Sequence, residues 1–152
     1  MSPKLNKNKK TRQYLQTLLC TLAIHTANIK TYHWLIAGRD FFILHEKFGT
    51  LYEYYNELVD QVAERIIALQ FEPYTSFTQF INNSEVRETS NLSDEDEILN
   101  ELLTNQGVVL NLLIKAKAEA ITAGDSETDN KLQEIIYEIQ KQNWQYGAQL
   151  NK

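Results

Sequence analysis

The sequence is poor in cysteine, glycine and proline. Its 152 residues include one cysteine, Cys20, five glycines and two prolines. A single cysteine excludes an internal disulfide framework and a thiolate zinc finger, and it is typical of a reducing compartment. Scarce glycine and proline argue against an all-β fold with many tight turns. No apolar run approaches the roughly 18 residues that a membrane span needs. No apolar segment follows the lysine-rich start, so we expect neither a span nor a secretory signal.

Charge is distributed unevenly along the chain. The net charge of the chain is −5. The first twelve residues carry +5 and contain no acid, so the remaining 140 residues carry −10. We therefore expect a flexible basic arm at residues 1–12, attached to an acidic domain at residues 13–152. Any contact with nucleic acid would come from the arm, although a solvated terminus explains the same pattern. The basic residues of the arm are Lys4, Lys7, Lys9, Lys10 and Arg12.

Apolar residues recur at helical spacing in four long stretches. The pattern predicts helices over residues 11–37, 41–69, 93–120 and 127–150. Each is about 40 Å long at 1.5 Å per residue. Asp40 is predicted to precede the second helix as its N-cap, and Gly124 to end the third as its C-cap.

The connection between the second and third helices is long. Residues 70–92 have room to cross the length of the bundle and to form a short helix capped by Ser76. The first two helices are joined by a tight turn, and so are the last two. One long crossover between two antiparallel pairs predicts an all-α, ferritin-like four-helix bundle, because simple up-down bundles have only short loops.

Four side chains are candidate metal ligands. His33 and His45 flank the turn around Arg39, so an antiparallel hairpin brings them to the same end of the bundle. Asp60 and Glu64 are four residues apart on the second helix and share a face. Two imidazoles and two carboxylates suit Fe, Mn or Zn better than Ca or Mg. Each residue also has an ordinary interpretation, as a structural histidine or a solvated acid.

One chain cannot bring all four side chains onto one ion. Asp60 and Glu64 lie about 22 and 28 Å from His45 along the helix axis. If this helix pairs antiparallel with its symmetry mate about a two-fold axis near residues 53–55, the histidine of one copy faces both acids of the other. The Glu-x-x-His motif of intrasubunit di-iron sites is absent from the sequence. The remaining histidine, His25, lies about 12 Å from the nearest candidate ligand along its helix, and we expect it to be structural.

The residues around the two histidines resemble the signature of the Dps family. These are mini-ferritins, named as DNA-binding proteins from starved cells. The resemblance is dense over Thr31–Leu69 and continues in register from Gln13 to Leu150. It rests on Tyr32-His33-Trp34, Gly38, Phe42, Leu44-His45-Glu46-Lys47-Phe48, Tyr52, Asp60 and Ala63-Glu64-Arg65-Ile66, with Trp144 in the last helix.

The resemblance implies a hollow homododecamer with a ferroxidase centre between two-fold-related subunits. His33 and His45 would come from one subunit and Asp60 and Glu64 from the other, with Glu64 bridging two irons. Trp34 would absorb oxidising equivalents. The implied reaction is oxidation of Fe(II), preferentially by hydrogen peroxide, with ferric mineral stored in the cavity. Zn or Mn would compete for the same site.

Two further expectations follow from the resemblance. Many relatives carry an acid four residues after the second histidine, where this chain has Gly49, so we expect a weak second iron site. Asp125, Glu127 and Asp129 are candidates for an acidic pore that admits iron. An acidic helix N-terminus is also favoured by the helix dipole, and Asn130 stands where relatives often have an acid.

Three interpretations of function come from the sequence. The first is a ferroxidase and iron store that protects DNA from oxidative damage in the bacterial cytoplasm or nucleoid. The second is a protein that coats DNA through its basic arms and has little ferroxidase activity. The third is a purely structural helical oligomer, in which the four candidate ligands would be coincidental. The resemblance favours the first.

Overall fold

Four long helices and one short helix make up the described part of the chain. The structure is a computed structural model that describes residues 8–151. These residues contain no strand, and none of their helices is long and apolar enough to cross a membrane. The predicted all-α, ferritin-like bundle is confirmed. The helices are α1 (Lys9–Leu35), α2 (Phe41–Ala68), α3 (Phe77–Asn83), α4 (Glu95–Ala123) and α5 (Ser126–Leu150).

The long helices pack around one apolar core. α1 contacts α2 and α4, α4 contacts α5, and α3 lies against α1. The largest fully buried side chains are Tyr32, Tyr55 and Phe48. Residues 69–94 form the single long crossover between α2 and α4, and Ser76 caps α3 with a complete capping box, as predicted.

Three helix starts differ from the sequence-based expectation, that of α5 by only one residue. α1 begins at Lys9, inside the segment that was expected to form the arm. α4 is capped by Asp94, because its carboxylate accepts hydrogen bonds from the N–H groups of Asp96 and Glu97. The sequence predicts a start at Ser93, but Ser93 lies before the cap, and its carbonyl accepts the N–H of Ala37.

The turn between α1 and α2 requires a glycine. Gly38 has φ of +140°, a conformation that residues with a side chain rarely adopt. A Cβ at this position would lie 2.5 Å from Oε1 of Glu95. That carboxylate accepts the N–H of Asp40 at 2.6 Å, which ties the turn to the start of α4 and fixes how α1 enters α2.

Polar side chains of α1 hold the crossover in place. Gln16 donates to the carbonyl of Glu72 at 2.7 Å and accepts the N–H of Tyr74 at 3.0 Å. Farther along the helix, Asn28 makes the same pair of bonds with the backbone of residues 87–89. These contacts satisfy buried polar groups on both partners, so the crossover follows one path along the bundle.

An ion pair joins the end of α2 to the start of α5. Nη2 of Arg65 donates to Oδ1 of Asp125 at 2.7 Å, and Nε donates to the hydroxyl of Thr128. Asp125 is buried and also caps α5 by accepting the N–H of Thr128. One carboxylate therefore fixes the relative position of two helices.

Replacing Asp125 with Ala is expected to lower the free energy of unfolding by about 2–4 kcal/mol, because it removes an N-cap and leaves Arg65 without its carboxylate. Chemical unfolding followed by circular dichroism measures the change. The control is Glu127→Gln, an exposed acid on the same turn, for which we expect a change within about 0.5 kcal/mol. Equal effects of the two variants would contradict this role of Asp125.

Candidate metal centre

The α1–α2 hairpin brings two histidines into contact. His33 lies in the last turn of α1, and His45 lies in the second turn of α2. Their imidazole rings stack with centroids 3.9 Å apart and an interplanar angle of 14°. Both side chains are partly buried. The structure thus places them together, as their positions on either side of the turn predicted.

The two histidines exchange hydrogen bonds with each other's backbone. Nδ1 of His33 lies 2.6 Å from the carbonyl oxygen of His45. Nδ1 of His45 lies 2.7 Å from the carbonyl oxygen of His33. Because a carbonyl oxygen can only accept, each Nδ1 carries the proton and donates it. With Nδ1 engaged in this way, Nε2 of each ring is the nitrogen left for a metal ion, an arrangement that metal-binding histidines usually show.

The bond from His45 to the carbonyl of His33 is possible because α1 ends close to His33. The last carbonyl groups of a helix have no partner within it, and His33 is two residues from the end of α1. The N–H of Ala37, four residues on, donates instead to the carbonyl of Ser93 at 2.9 Å. The carbonyl of His33 is thus open to Nδ1 of His45.

Aromatic rings restrict the imidazole pair. The ring of Phe41 stacks on His45 with centroids 5.2 Å apart, and Tyr52 meets His33 edge-on at 5.5 Å. The ammonium group of Lys30 lies 5.4 Å from the centroid of Tyr52. Sequence reasoning gave Phe41 no role at the site, although its place four residues before His45 on a helix puts it beside that ring.

Tyr32 anchors the end of α1 next to His33. Its side chain is fully buried, and its hydroxyl donates to Oε2 of Glu101 on α4 at 2.5 Å. Burial, together with the hydrogen bond and charge of Glu101, raises the pKa of the Tyr32 phenol well above its usual value. The phenol therefore stays protonated and keeps donating, which holds the last turn of α1 against α4.

The two candidate carboxylates lie toward the far end of α2. Asp60 and Glu64 are both exposed, on the same uninterrupted helix as His45. They are about 22 and 28 Å from His45 along that helix. Within residues 8–151, no group of three or more His, Cys, Asp or Glu side chains is placed to hold one metal ion. One copy of the chain therefore presents the four candidate ligands as two separate pairs.

The three acids of the predicted pore differ in their surroundings. The carboxylates of Asp125 and Asp129 are paired with Arg65 at 2.7 Å and Lys117 at 2.5 Å. Glu127 is exposed in the first turn of α5. Two of the three acids are thus partly neutralised within their own chain, and the pore stays a prediction.

His25 lies in the core of the bundle, as expected for a structural histidine. It is fully buried and meets the ring of Tyr55 edge-on, with centroids 4.7 Å apart. Neither ring nitrogen has a hydrogen-bond partner among residues 8–151. Burial lowers the pKa of His25 from 6.5 to about 3, so the ring is neutral in the folded protein at ordinary pH.

Trp34 and part of the basic arm lie at the surface. Trp34 follows His33 on α1 and is 67% exposed. Lys9 and Lys10 are exposed in the first turn of α1, whereas Lys4 and Lys7 lie outside the described residues.

The bundle with a single long crossover defines a ferritin-like protein. Residues 12–152 match the Ferritin family, described as a ferritin-like domain. The chain is 30% identical over 146 residues to the DNA protection during starvation protein of Listeria monocytogenes, covering 93% of this chain and 92% of that protein.

Solved structures are similar over nearly the whole chain. The Dps protein of Vibrio cholerae O1, described as a member of a broad superfamily of ferritin-like diiron-carboxylate proteins, has a TM-score of 0.93 at 27% identity and covers 96% of this chain and 92% of that one. Dps from Listeria innocua soaked with zinc has a TM-score of 0.89 at 28% identity and covers 93% and 97%. The chain belongs to the Dps family of ferritin-like proteins.

Proposed function

We propose that this protein oxidises Fe(II) at a centre shared between two copies of the chain and stores the ferric product in a hollow homododecamer. The observation that carries the proposal is the division of the ligands. His33 and His45 stand together with Nε2 of each ring available, while Asp60 and Glu64 are exposed at the other end of the same helix. Membership of a diiron-carboxylate superfamily supports iron as the substrate.

Each copy contributes a different half of the centre. The imidazoles of His33 and His45 bind iron through Nε2, and the carboxylates of Asp60 and Glu64 from the second copy supply negative charge. Glu64 bridges two irons, and Trp34, beside His33, takes up oxidising equivalents that escape the centre. Zn(II) and Mn(II) compete for this site, because imidazole and carboxylate also suit them.

The reaction consumes hydrogen peroxide without releasing a radical. Two Fe(II) ions give one electron each to one peroxide molecule. The O–O bond breaks, two protons are taken up, and two waters and two Fe(III) ions form. Because both electrons arrive together, no hydroxyl radical is released. The ferric ions then leave for the cavity of the oligomer.

The test is anaerobic loading of the purified oligomer with Fe(II), followed by a pulse of either peroxide or oxygen. We expect ferric absorbance to rise faster with peroxide than with oxygen. The reaction should consume about two Fe(II) per peroxide, as a paired two-iron site requires. A spin trap present in the same mixture should report little hydroxyl radical. Oxidation no faster than iron in buffer, with full radical yield, would contradict the proposal.

The basic segment favours a second activity, the binding of DNA. Five cationic residues and no acid stand in residues 1–12, and a dodecamer displays twelve copies, so avidity exceeds the affinity of one arm. The acidic remainder of the chain repels DNA and opposes this activity. Protection of DNA would place the protein in the bacterial cytoplasm or nucleoid.

Replacing Lys4, Lys7, Lys9 and Lys10 with Gln is expected to abolish retardation of DNA in a gel while iron oxidation continues. Each lost phosphate contact should also reduce the slope of log K against log salt by about 0.9. The control replaces Lys131 and Lys141, exposed lysines of α5, with Gln. If the variant with all four lysines replaced still retards DNA at the same salt concentration, DNA binding through the arm is contradicted.

A further inference from the structure

A layer of polar side chains lies inside the apolar core, with one member from each long helix. Each member stands near the middle of its helix, and each is buried. The members of this polar layer are His25 of α1, Tyr55 of α2, Gln106 of α4 and Gln142 of α5. Polar groups at this depth are cut off from bulk solvent, so their hydrogen bonds have to be made inside the protein.

Contacts join the members of the polar layer in a row. The ring of His25 meets the ring of Tyr55 edge-on, with centroids 4.7 Å apart. Nε2 of Gln106 donates to the hydroxyl of Tyr55 at 3.0 Å and to Oε1 of Gln142 at 3.3 Å. These two bonds use both N–H groups of the Gln106 amide. The row therefore links all four long helices, but it does not pair every polar atom in the layer.

Three buried atoms of the layer have no hydrogen-bond partner within the described part of the chain. They are Nδ1 and Nε2 of His25 and Oε1 of Gln106. Turning the Gln106 amide over would only replace an unpaired oxygen with an unpaired N–H group. The hydroxyl of Tyr55 accepts from Gln106 and keeps its own proton to donate. Because a neutral imidazole has one donor and one acceptor, the layer offers two donors and two acceptors.

The polar layer is uncharged, which decides the kind of ligand that it suits. Burial lowers the pKa of His25 to about 3 and raises the pKa of the Tyr55 phenol well above its usual value, and the amides carry no charge. A metal ion would find no counter-charge in the layer. Buried waters typically make about three hydrogen bonds to groups that would otherwise be unpaired, and proteins hold about one for every 27 residues. A water molecule therefore matches the layer in charge and in hydrogen bonding.

We propose that the polar layer is a binding site for an internal water molecule. The water bonds to a ring nitrogen of His25 and to Oε1 of Gln106, and so bridges α1 and α4, two helices that pack against each other. The bridge couples the two side chains energetically. Removing one of them strands the other in the core without a partner, which costs more than replacing both with apolar groups.

A double-mutant cycle tests the coupling in solution. His25→Leu and Gln106→Leu are made singly and together, and unfolding of each protein in urea is followed by circular dichroism at one protein concentration. Each single change should lower the urea midpoint, and the double change should lower it by clearly less than the sum of the two. The bonds that Gln106 makes to Tyr55 and Gln142 are lost on both sides of the cycle, so they cancel. Additive shifts would overturn the proposal.

A crystal structure of the native oligomer, at a resolution that shows ordered water, tests the site without any variant. We expect one peak in each subunit within about 2.7–3.2 Å of a His25 ring nitrogen and of the Gln106 amide. The peak should be lost in Gln106→Leu and kept in the control Ile98→Val, which trims a buried apolar residue of the same helix. A direct bond between His25 and Gln106, the lack of a peak, or a metal ion there in crystals loaded with Zn(II) would each overturn the proposal.

Discussion

The double replacement Asp60→Asn and Glu64→Gln is expected to slow peroxide-driven oxidation of Fe(II) by about 100-fold or more, because the amides keep the shape of the carboxylates but lose the charge that binds and bridges the metal ions. Both side chains are exposed in the single chain. Folding should therefore be affected by no more than about 0.5 kcal/mol. Stopped-flow absorbance of the ferric product measures the rate.

The matched control for this variant is Glu134→Gln with Glu138→Gln. These acids have the same spacing of four residues but lie on α5, a different helix from the candidate ligands. The control removes the same amount of charge from each chain, so it reports any general loss of iron attraction. Equal loss of rate in both double variants would mean that net charge, and not a defined centre, controls oxidation.

His25 is expected to make the protein sensitive to acid. Its pKa is about 3 in the folded chain and 6.5 when exposed. Below pH 6.5 the unfolded state binds a proton at His25 that the folded state does not bind. The stability that the neutral histidine contributes is therefore full above pH 6.5 and is lost as the pH falls toward 3. At about 1.4 kcal/mol per pH unit, the loss between pH 6.5 and pH 4 is on the order of 3 kcal/mol per subunit.

The measurement is the free energy of unfolding of the native protein and of His25→Leu at several pH values. All other titrating groups are shared, so the difference between the two curves isolates this one histidine. His25→Phe serves as a second variant. Even if its free energy of unfolding differs from that of His25→Leu at every pH, the slope of that free energy against pH should be the same. Parallel curves for native and variant proteins between pH 6.5 and pH 4 would contradict this account of His25.

Much of the fold could be predicted from local sequence. Apolar spacing predicted the four long helices, Ser76 indicated the short helix, and the long crossover indicated the ferritin-like connection. The predicted start of α4 lies two residues before the observed start at Glu95, because the competition between Ser93 and Asp94 depends on a distant partner. Ser93 gives its carbonyl to Ala37 at the end of α1, and no local pattern reveals that contact.

The candidate site was predictable in composition but not in detail. The positions of His33 and His45 on either side of a turn predicted their contact. Their exchange of hydrogen bonds depends on how closely two helices approach, which no residue spacing encodes. The ion pair of Arg65 with Asp125 joins residues 60 positions apart, so the sequence indicated Asp125 only as part of an acidic helix N-terminus or as a pore acid.

Hybrid oligomers test most directly whether the centre is shared between two chains. Subunits carrying His33→Ala and His45→Ala are co-expressed with subunits carrying Asp60→Asn and Glu64→Gln, and mixed oligomers are isolated by two different tags. Each parent lacks one half of every centre. In a random one-to-one mixture, about a quarter of the centres should combine the intact half of each parent. We predict that hybrids recover about a quarter of the native rate of Fe(II) oxidation, whereas hybrids as inactive as both parents would contradict a centre built between chains.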